Sequence, residues 1–127
     1  MIKVLIVDDE PLVRIGMNSI IAWQEHGYVI VGEAGNGEQG LELIDQLTPD
    51  LVLVDIMMPQ MDGIEMIDKA KKNGFQGKFI ILSCVTELAY LQQAIRLGVS
   101  RYILKSAVKP KEILSTIEEV AAELKKD

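Results

Sequence analysis

Residues 51–59 read LVLVDIMMP, and this stretch decides how the rest of the chain is interpreted. The four apolar residues Leu51–Val54 are typical of a strand buried on both faces, and a carboxylate, Asp55, follows directly. Four more short apolar runs occur along the chain: Val4–Val7, Tyr28–Val31, Phe79–Leu82 and Tyr102–Leu104. The sequence therefore predicts five buried strands.

Apolar residues recur at helical spacing between and after these runs, which predicts five helices. Pro11 suits the first turn of the first helix, and Asn36 and Asp62 are the expected N-caps of the second and third. Gly98 is expected to end the fourth helix in a left-handed conformation. Alternating strands and helices indicate an α/β fold with right-handed crossovers. We predict a doubly wound, flavodoxin-like parallel sheet of five strands in the order 2-1-3-4-5, with residues 1–127 as a single domain.

Composition limits where the protein works and what it binds. Thirteen basic residues against nineteen acidic ones give a net charge of −6, which argues against direct binding of nucleic acid. No apolar run approaches the roughly 18 residues of a membrane span. The lone cysteine, Cys84, excludes an internal disulfide and fits a reducing compartment. We therefore expect a cytoplasmic protein with no membrane partner.

Reactive side chains follow the predicted strands. In open α/β sheets, ligands bind beyond the carboxyl ends of the strands, where the strand order reverses. Carboxylates that converge there cannot all stay ionised without a cation, and Mg²⁺ prefers carboxylates, water and phosphate oxygens. A hydroxyl and an ammonium could meet the oxygens of a phosphoryl group. The residues concerned are Asp8, Asp9 and Glu10 after strand one, Asp55 after strand three, Ser83 after strand four and Lys105 after strand five.

These residues lie in four motifs: VDDE at 7–10, DIMMP at 55–59 with Asp62-Gly63, Ser83, and YILK at 102–105. Together the motifs resemble the receiver domains of two-component response regulators, which have the chemotaxis-regulator-like fold. The resemblance covers residues 2 to about 124. It implies that Asp55 accepts a phosphoryl group from a sensor histidine kinase. It also implies direct Mg²⁺ ligation by Asp9, Asp55 and the backbone carbonyl of Met57, with Asp8 acting largely through water.

The resemblance implies roles for three further side chains. Ser83 would bind the phosphoryl oxygens and shift on activation, Tyr102 would turn inward behind it, and Lys105 would contact the acyl phosphate. Such a domain catalyses its own phosphorylation and dephosphorylation and does not turn over an outside metabolite, so it is not an enzyme in the usual sense.

A finer similarity concerns the output. Residues 11–14, Trp23 and residues 31–34 are similar to receivers that precede an AraC-type helix-turn-helix domain. This implies control of transcription through a DNA-binding domain that the chain does not contain. The fourth helix is rather apolar, at Leu88, Tyr90, Leu91 and Ile95. An excess of this surface left outside suggests a contact with a second copy on phosphorylation or with the output domain.

Several features favour less specific interpretations. GNGEQG at 35–40 formally matches a dinucleotide-binding fingerprint, but it follows the second strand of a chain too short for two nucleotide-binding halves. We interpret it as a helix start. Glu10 is expected to be a helix-start charge, His26 a helix-end residue, Trp23 a packing residue and Cys84 a small buried thiol.

Departures from the family pattern bear on the proposed chemistry. Ser106 follows Lys105 where most receivers have proline, so the reach of Lys105 is open, and Lys109 is a weaker candidate for its role. Met57 and Val85 are apolar and cannot orient a water, which predicts slow self-dephosphorylation.

Three other functions remain as alternatives. An aspartate-based phosphohydrolase would usually carry an acid at position 57, where this chain has Met57. A flavin or nucleotide binder would need a phosphate-cradling loop after the first strand, where residues 8–10 would repel phosphate. A receiver that no longer takes phosphate and serves only for docking is disfavoured, because the acidic, hydroxyl and lysine positions are complete.

Overall fold

Five strands alternate with five helices in residues 1–105 and 109–124, the part of the chain that the computed structural model describes. The strands are β1 (Ile2–Val7), β2 (Tyr28–Ala34), β3 (Leu51–Val54), β4 (Lys78–Ser83) and β5 (Arg101–Leu104). The helices are α1 (Pro11–Ile20), α2 (Gly37–Leu47), α3 (Gly63–Lys72), α4 (Leu88–Leu97) and α5 (Pro110–Leu124), with a short 3₁₀ helix at Trp23–His26. Every predicted strand and helix is present, and β2 extends three residues beyond its apolar run.

The strands form one parallel sheet in the order β2-β1-β3-β4-β5, which confirms the predicted fold class. β1 lies between β2 and β3, and its last residue, Val7, pairs with Val54 at the end of β3. The next residue of each strand is an aspartate, so the register brings Asp8 and Asp55 to the same edge of the sheet.

Side chains of each strand alternate between two apolar cores. Val4 and Ile6 face the core that is shared with α1 and α5, whereas Leu5 and Val7 face the core that is shared with α2, α3 and α4. Burial on both faces explains why the strands read as continuous apolar runs instead of alternating ones. Trp23 is buried in the first core, as expected of a packing residue.

The predicted helix ends are confirmed. Pro11 occupies the first turn of α1, and Gly98 ends α4 with a φ of 77°. The side chains of Asn36 and Asp62 accept the amides of Gln39 and Glu65, each at 2.8 Å. These caps satisfy amides that would otherwise lack partners in the first turn.

The glycine-rich stretch 35–40 serves packing. A Cβ at Gly37 would lie 2.9 Å from the side chain of Met61, and one at Gly40 would lie 2.8 Å from the sulfur of Met66 in α3. Glycine at these two positions therefore lets the start of α2 lie close to α3 and to Met61 without moving the methionine side chains. No helix of the described residues is both long and apolar enough to cross a bilayer.

Candidate functional site

Two buried aspartates end the central strands. Asp8 is 4% exposed and Asp55 is 5% exposed. Their amides continue the sheet pattern, because Asp8 donates to the carbonyl of Ala34 and Asp55 donates to the carbonyl of Val7, each at 3.0 Å. The sheet therefore holds the amide side of the backbone from which both carboxylates project.

Four carboxylates converge at this edge of the sheet. Oxygens of Asp8, Asp9, Glu10 and Asp55 all lie within 4.8 Å of one another. Asp8 also accepts the backbone amide of Glu10 on Oδ1 at 3.0 Å, which turns the chain and returns Glu10 toward the cluster. The three aspartates expected from the sequence are together, and Glu10, which precedes α1 as expected of a helix-start charge, also brings an oxygen to them.

Lys105 reaches this cluster from the end of β5. Its Nζ lies 2.7 Å from Oδ2 of Asp8 and 3.2 Å from Oδ2 of Asp55, and its amide donates to the carbonyl of Ser83 at 3.0 Å. Lys105 therefore reaches the acidic cluster even though proline does not follow it in the sequence. Ser106, which follows it, lies outside the described residues. Lys109 is exposed, and its carbonyl accepts amides in the first turn of α5.

The charge of Lys105 is stabilised by its neighbours. Burial lowers the pKa of an ammonium, but the hydrogen bond to Asp8 and the charges of Asp55 and Asp8 outweigh burial, so the pKa of Lys105 is raised. The side chain therefore stays protonated at neutral pH and balances one of the carboxylates.

One oxygen of Asp55 is left without a partner. Oδ1 of Asp55 is the single buried side-chain nitrogen or oxygen in residues 1–105 and 109–124 that makes no hydrogen bond. A buried acceptor without a partner is costly, and more so when it carries charge. The atom is therefore available to a cation or to an electrophile.

The start of α3 packs directly behind Asp55. The amide of Gly63 donates to the carbonyl of Ile56 at 2.8 Å, and a Cβ at Gly63 would lie 2.3 Å from the backbone oxygen of Asp55. The sequence motif includes Gly63, but this contact joins residues that are eight positions apart and could not be inferred from spacing alone. Any larger residue would push against the backbone of Asp55.

A second set of polar groups lies at the ends of β4 and β5. Ser83 is fully buried, and its Oγ accepts the amide of Val85 at 3.2 Å. The hydroxyl of Tyr102 donates to the carbonyl of Val85 at 2.7 Å. Burial, followed by the negative charges of Asp55 and Glu87, raises the pKa of Tyr102. Val85 therefore joins Ser83 to Tyr102 through its two backbone groups.

The donor set fits a hard divalent cation. All four converging side chains offer oxygen, one oxygen of Asp55 is unpartnered, and Lys105 neutralises only part of the negative charge. Mg²⁺ takes oxygen ligands from a few carboxylates and keeps several waters. Asp8, Asp9 and Asp55, the ligands expected from the sequence, could hold it, and Glu10 also offers an oxygen there. The side chain of Met57 is 56% exposed, and the role of its carbonyl as a ligand stays a prediction.

Two residues near the site differ from what the sequence predicted, Cys84 in its exposure and Arg14 in its contact with the acidic loop. Cys84 is exposed, contrary to the interpretation as a buried thiol, because it follows the end of β4 and no longer shares the burial of the strand. Arg14, which donates from Nη1 to the carbonyl of Asp8, had been noted only within a stretch of subfamily similarity.

Comparison with known proteins gives one consistent result. Residues 4–118 match the model of the response regulator receiver domain family. The chain is 39% identical over 126 residues to the uncharacterized transcriptional regulatory protein YesN of Bacillus subtilis, covering 99% of the chain and 34% of that protein. It is 35% identical over 119 residues to the nitrate/nitrite response regulator NarL of Escherichia coli K12, covering 94% of the chain and 54% of that protein. The chain thus spans about a third to a half of these relatives.

A solved structure agrees over nearly the full length. The REC domain of AraT, a response regulator from Geobacillus stearothermophilus, superposes with a TM-score of 0.88 at 35% identity, over 98% of this chain and 95% of that one.

Proposed function

The chain belongs to the family of response regulator receiver domains of two-component systems, and from that premise we propose that Asp55 accepts a phosphoryl group from a sensor histidine kinase in a Mg²⁺-dependent reaction. Family membership confirms the resemblance drawn from the motifs. We propose three things beyond family membership: that Asp55 is the phosphoacceptor, that the cation is Mg²⁺, and that the phosphoryl donor is a sensor histidine kinase.

The unpartnered Oδ1 of Asp55 is the observation that carries this proposal. Lys105 holds the other oxygen of the same carboxylate, which orients the group and leaves Oδ1 as the nucleophile. Oδ1 would form a bond to phosphorus while the bond from phosphorus to the histidine nitrogen of the kinase breaks. The electron pair of that bond stays on the imidazole, which takes up a proton.

Charge balance supports a role for the cation. A bound phosphoryl group adds roughly −1.5 to −2 charge to a site that already holds several carboxylates. Bound Mg²⁺ would supply positive charge to the phosphoryl oxygens and the carboxylates. Lys105 is positioned to donate to a phosphoryl oxygen, and the hydroxyl of Ser83 is the expected second donor. Positioning and charge compensation would then account for most of the catalysis.

We further propose that the domain performs only its own phosphorylation and a slow hydrolysis of the acyl phosphate. The side chains two residues beyond Asp55 and Ser83 are Met57 and Val85, and neither can hold an attacking water by hydrogen bonds. A phosphate lifetime of only seconds in the purified protein would contradict this.

The output proposed is control of transcription through a separate DNA-binding domain. One relative is described as a transcriptional regulatory protein, and one structural neighbour is described as a DNA-binding response regulator of the LuxR family from Staphylococcus aureus. The AraC type of output therefore stays a prediction. The net charge of −6 is consistent with DNA binding outside this domain, and a kinase-controlled module of this kind would act in the cytoplasm.

Contact through α4 also stays a prediction. Leu88 and Ile95 are 66% and 69% exposed, so the predicted apolar surface is present. Sedimentation with and without a phosphate mimic would test whether it supports a second copy of the chain. Monomer under both conditions would remove support for self-association.

Intact-mass spectrometry with acetyl phosphate tests the proposed chemistry. The wild-type protein should gain the mass of one phosphoryl group when Mg²⁺ is present and none when a chelator removes it. Asp55→Asn should abolish the adduct. Asp50→Asn is the matched control, because Asp50 lies at the opposite end of β3, where its carboxylate accepts the amide of Lys3 at 2.8 Å, and this variant should react normally.

Other outcomes of that experiment point to the alternatives. Absence of any wild-type adduct at saturating Mg²⁺ and acetyl phosphate would contradict the proposal. Steady turnover of phosphate esters would instead favour a phosphohydrolase, and a bound yellow chromophore would favour a flavin protein.

A further inference from the structure

Arg14 connects the acidic loop to the neighbouring strand. It lies in the first turn of α1, and helical side chains incline toward the N-terminus, so its guanidinium reaches back over the loop that precedes the helix. There Nη1 donates a hydrogen bond to the carbonyl oxygen of Asp8, a residue whose carboxylate belongs to the acidic cluster. The side chain is only 20% exposed.

A second residue holds the guanidinium in place. Nε of Arg14 lies 3.6 Å from Oε1 of Glu33 in β2, and the other oxygen of Glu33 accepts the side-chain amide of Asn18 at 3.0 Å. A Cβ at Gly35 would lie 3.3 Å from Nη1 of Arg14, so the guanidinium packs against the backbone after β2. Arg14 is therefore fixed from two sides.

These contacts differ from an ordinary surface ion pair, which contributes little to stability. The hydrogen bond to Asp8 acts on the backbone of a residue whose carboxylate bonds Lys105 and belongs to the acidic cluster. Groups that orient the ligands of a metal commonly affect metal affinity although they do not touch the metal. The partners Arg14 and Glu33 also lie in the two stretches, 11–14 and 31–34, that share the finer sequence similarity.

We propose that Arg14, held by Glu33, is a positioning residue that sets the orientation of Asp8 in the Mg²⁺ site. This inference rests on the proposed function, since it assumes that the acidic cluster binds Mg²⁺. Arg14 and Glu33 would then contribute to the affinity for Mg²⁺ in addition to any contribution to the stability of the fold.

Charge and positioning predict opposite results when Arg14 is replaced. Removing a positive charge beside a cation site should, by electrostatics alone, make Mg²⁺ bind more tightly. Losing the hydrogen bond that orients Asp8 should make Mg²⁺ bind more weakly. The sign of the change in affinity therefore separates the two effects.

Calorimetric titration with Mg²⁺ is the test. We expect Arg14→Gln to raise the Kd about tenfold, the lower end of the range for groups that orient metal ligands. Arg14→Lys keeps the charge but loses the fork geometry of the guanidinium, and it should fall between Arg14→Gln and the wild type. The double variant Arg14→Gln/Glu33→Gln preserves the net charge and should bind as weakly as Arg14→Gln alone.

Arg101→Gln is the matched control. Arg101 also donates to a backbone carbonyl, that of Ser100, and it pairs with Glu119 at 3.6 Å and with Glu123 at 3.8 Å. Its replacement removes the same charge from contacts outside the acidic cluster, so its Kd should equal that of the wild type.

Three outcomes would overturn the inference. Unchanged or tighter binding by Arg14→Gln would leave no positioning role, and equal weakening in Arg101→Gln would reduce the effect to a general loss of stability. Absence of Mg²⁺ binding in the wild type would overturn the inference together with the proposed function, which distinguishes that failure from the first two. Urea unfolding of each variant checks folding, and if Arg14→Gln does not fold, the charge-preserving Arg14→Lys must show the weakened binding.

Discussion

Two neighbouring helices, α3 and α4, have the same length of ten residues and pack on the same side of the sheet, yet they are held very differently. In α3 the residues Gly63, Met66, Ile67 and Ala70 are buried, whereas in α4 only Ala94 is buried. The apolar residues of α4 are largely turned to solvent. The sheet therefore anchors α3 more firmly than α4.

The first residues of α3 are also held more firmly than those of α4. Asp62 caps α3 with its side chain, and Gly63 packs on the backbone of Asp55. Glu87, at the start of α4, makes no side-chain cap, and the segment before α4 is held through the two hydrogen bonds of Val85. Elements with few buried contacts open most easily, so we expect α4 to open more readily than α3. We expect α3 to remain a fixed support for Asp55.

The largest expected effect compares the same substitution in the two helices. Ile67 is fully buried and Ile95 is 69% exposed. Ile67→Ala should lower the free energy of unfolding by about 2–5 kcal/mol, because it leaves a cavity in the core. Ile95→Ala should change it by no more than about 0.5 kcal/mol. Urea denaturation of both variants is the measurement, and similar losses would refute the contrast.

Gly63→Ala tests whether α3 supports Asp55. The new methyl group would meet the backbone of Asp55 and Ile56, so we expect a loss of about 1–3 kcal/mol and slower phosphoryl acceptance. Gly16→Ala is the control within α1, where the nearest atom would lie 3.9 Å away and better helix propensity should add up to about 1 kcal/mol. A Gly63→Ala protein with normal stability and normal reaction with acetyl phosphate would show that the close approach has no consequence.

Tyr102→Phe should loosen α4 without affecting α3. It removes the hydroxyl that donates to Val85, a hydrogen bond worth about 1 kcal/mol in net stability. Amide hydrogen exchange should become faster in α4 and stay unchanged in α3. Equal acceleration in both helices would mean that Tyr102 supports the whole core and not α4 in particular.

Alkaline pH offers a smaller test of the same contact. Burial, then the charge of Asp55, raises the pKa of Tyr102, and burial with the charge of Glu118 raises the pKa of Tyr28. The pKa of Lys105 is also raised. Because these groups hold their protons more tightly in the folded state than in the unfolded chain, their protonated forms stabilise the fold. This stabilisation is complete below about pH 10 and is lost as the pH rises through the folded-state pKa values. The decline in unfolding free energy should therefore be shallower in Tyr102→Phe, and an identical pH profile would count against the assignment.

Much of the fold could be predicted from local sequence signals. The continuous apolar runs indicated strands covered on both sides, and the caps Asn36, Asp62 and Gly98 were identified because each depends on a few adjacent residues. The strand order then placed Asp8 next to Asp55. This adjacency follows from topology alone, since both aspartates directly follow strands that are neighbours in the sheet.

Contacts between distant side chains could not be predicted in the same way. The guanidinium of Arg14 joins Asp8 to Glu33, and the backbone of Asp55 requires Gly63, but neither pairing leaves a periodic or spacing signal. Glu10 was interpreted from its position at a helix start, which gave no information about its approach to the cluster. The exposure of Cys84 depends on where β4 ends, a boundary that the apolar run defines only to within a residue or two.

A crystal structure of the protein grown with Mg²⁺ and beryllofluoride would test the central claim most directly. The account predicts a beryllofluoride group bound through beryllium to the carboxylate of Asp55, a cation in contact with Asp9 and Asp55, and Lys105 donating to a fluoride of that group. A cation or adduct bound elsewhere, or an acidic cluster still bridged by Lys105 alone under saturating conditions, would contradict it.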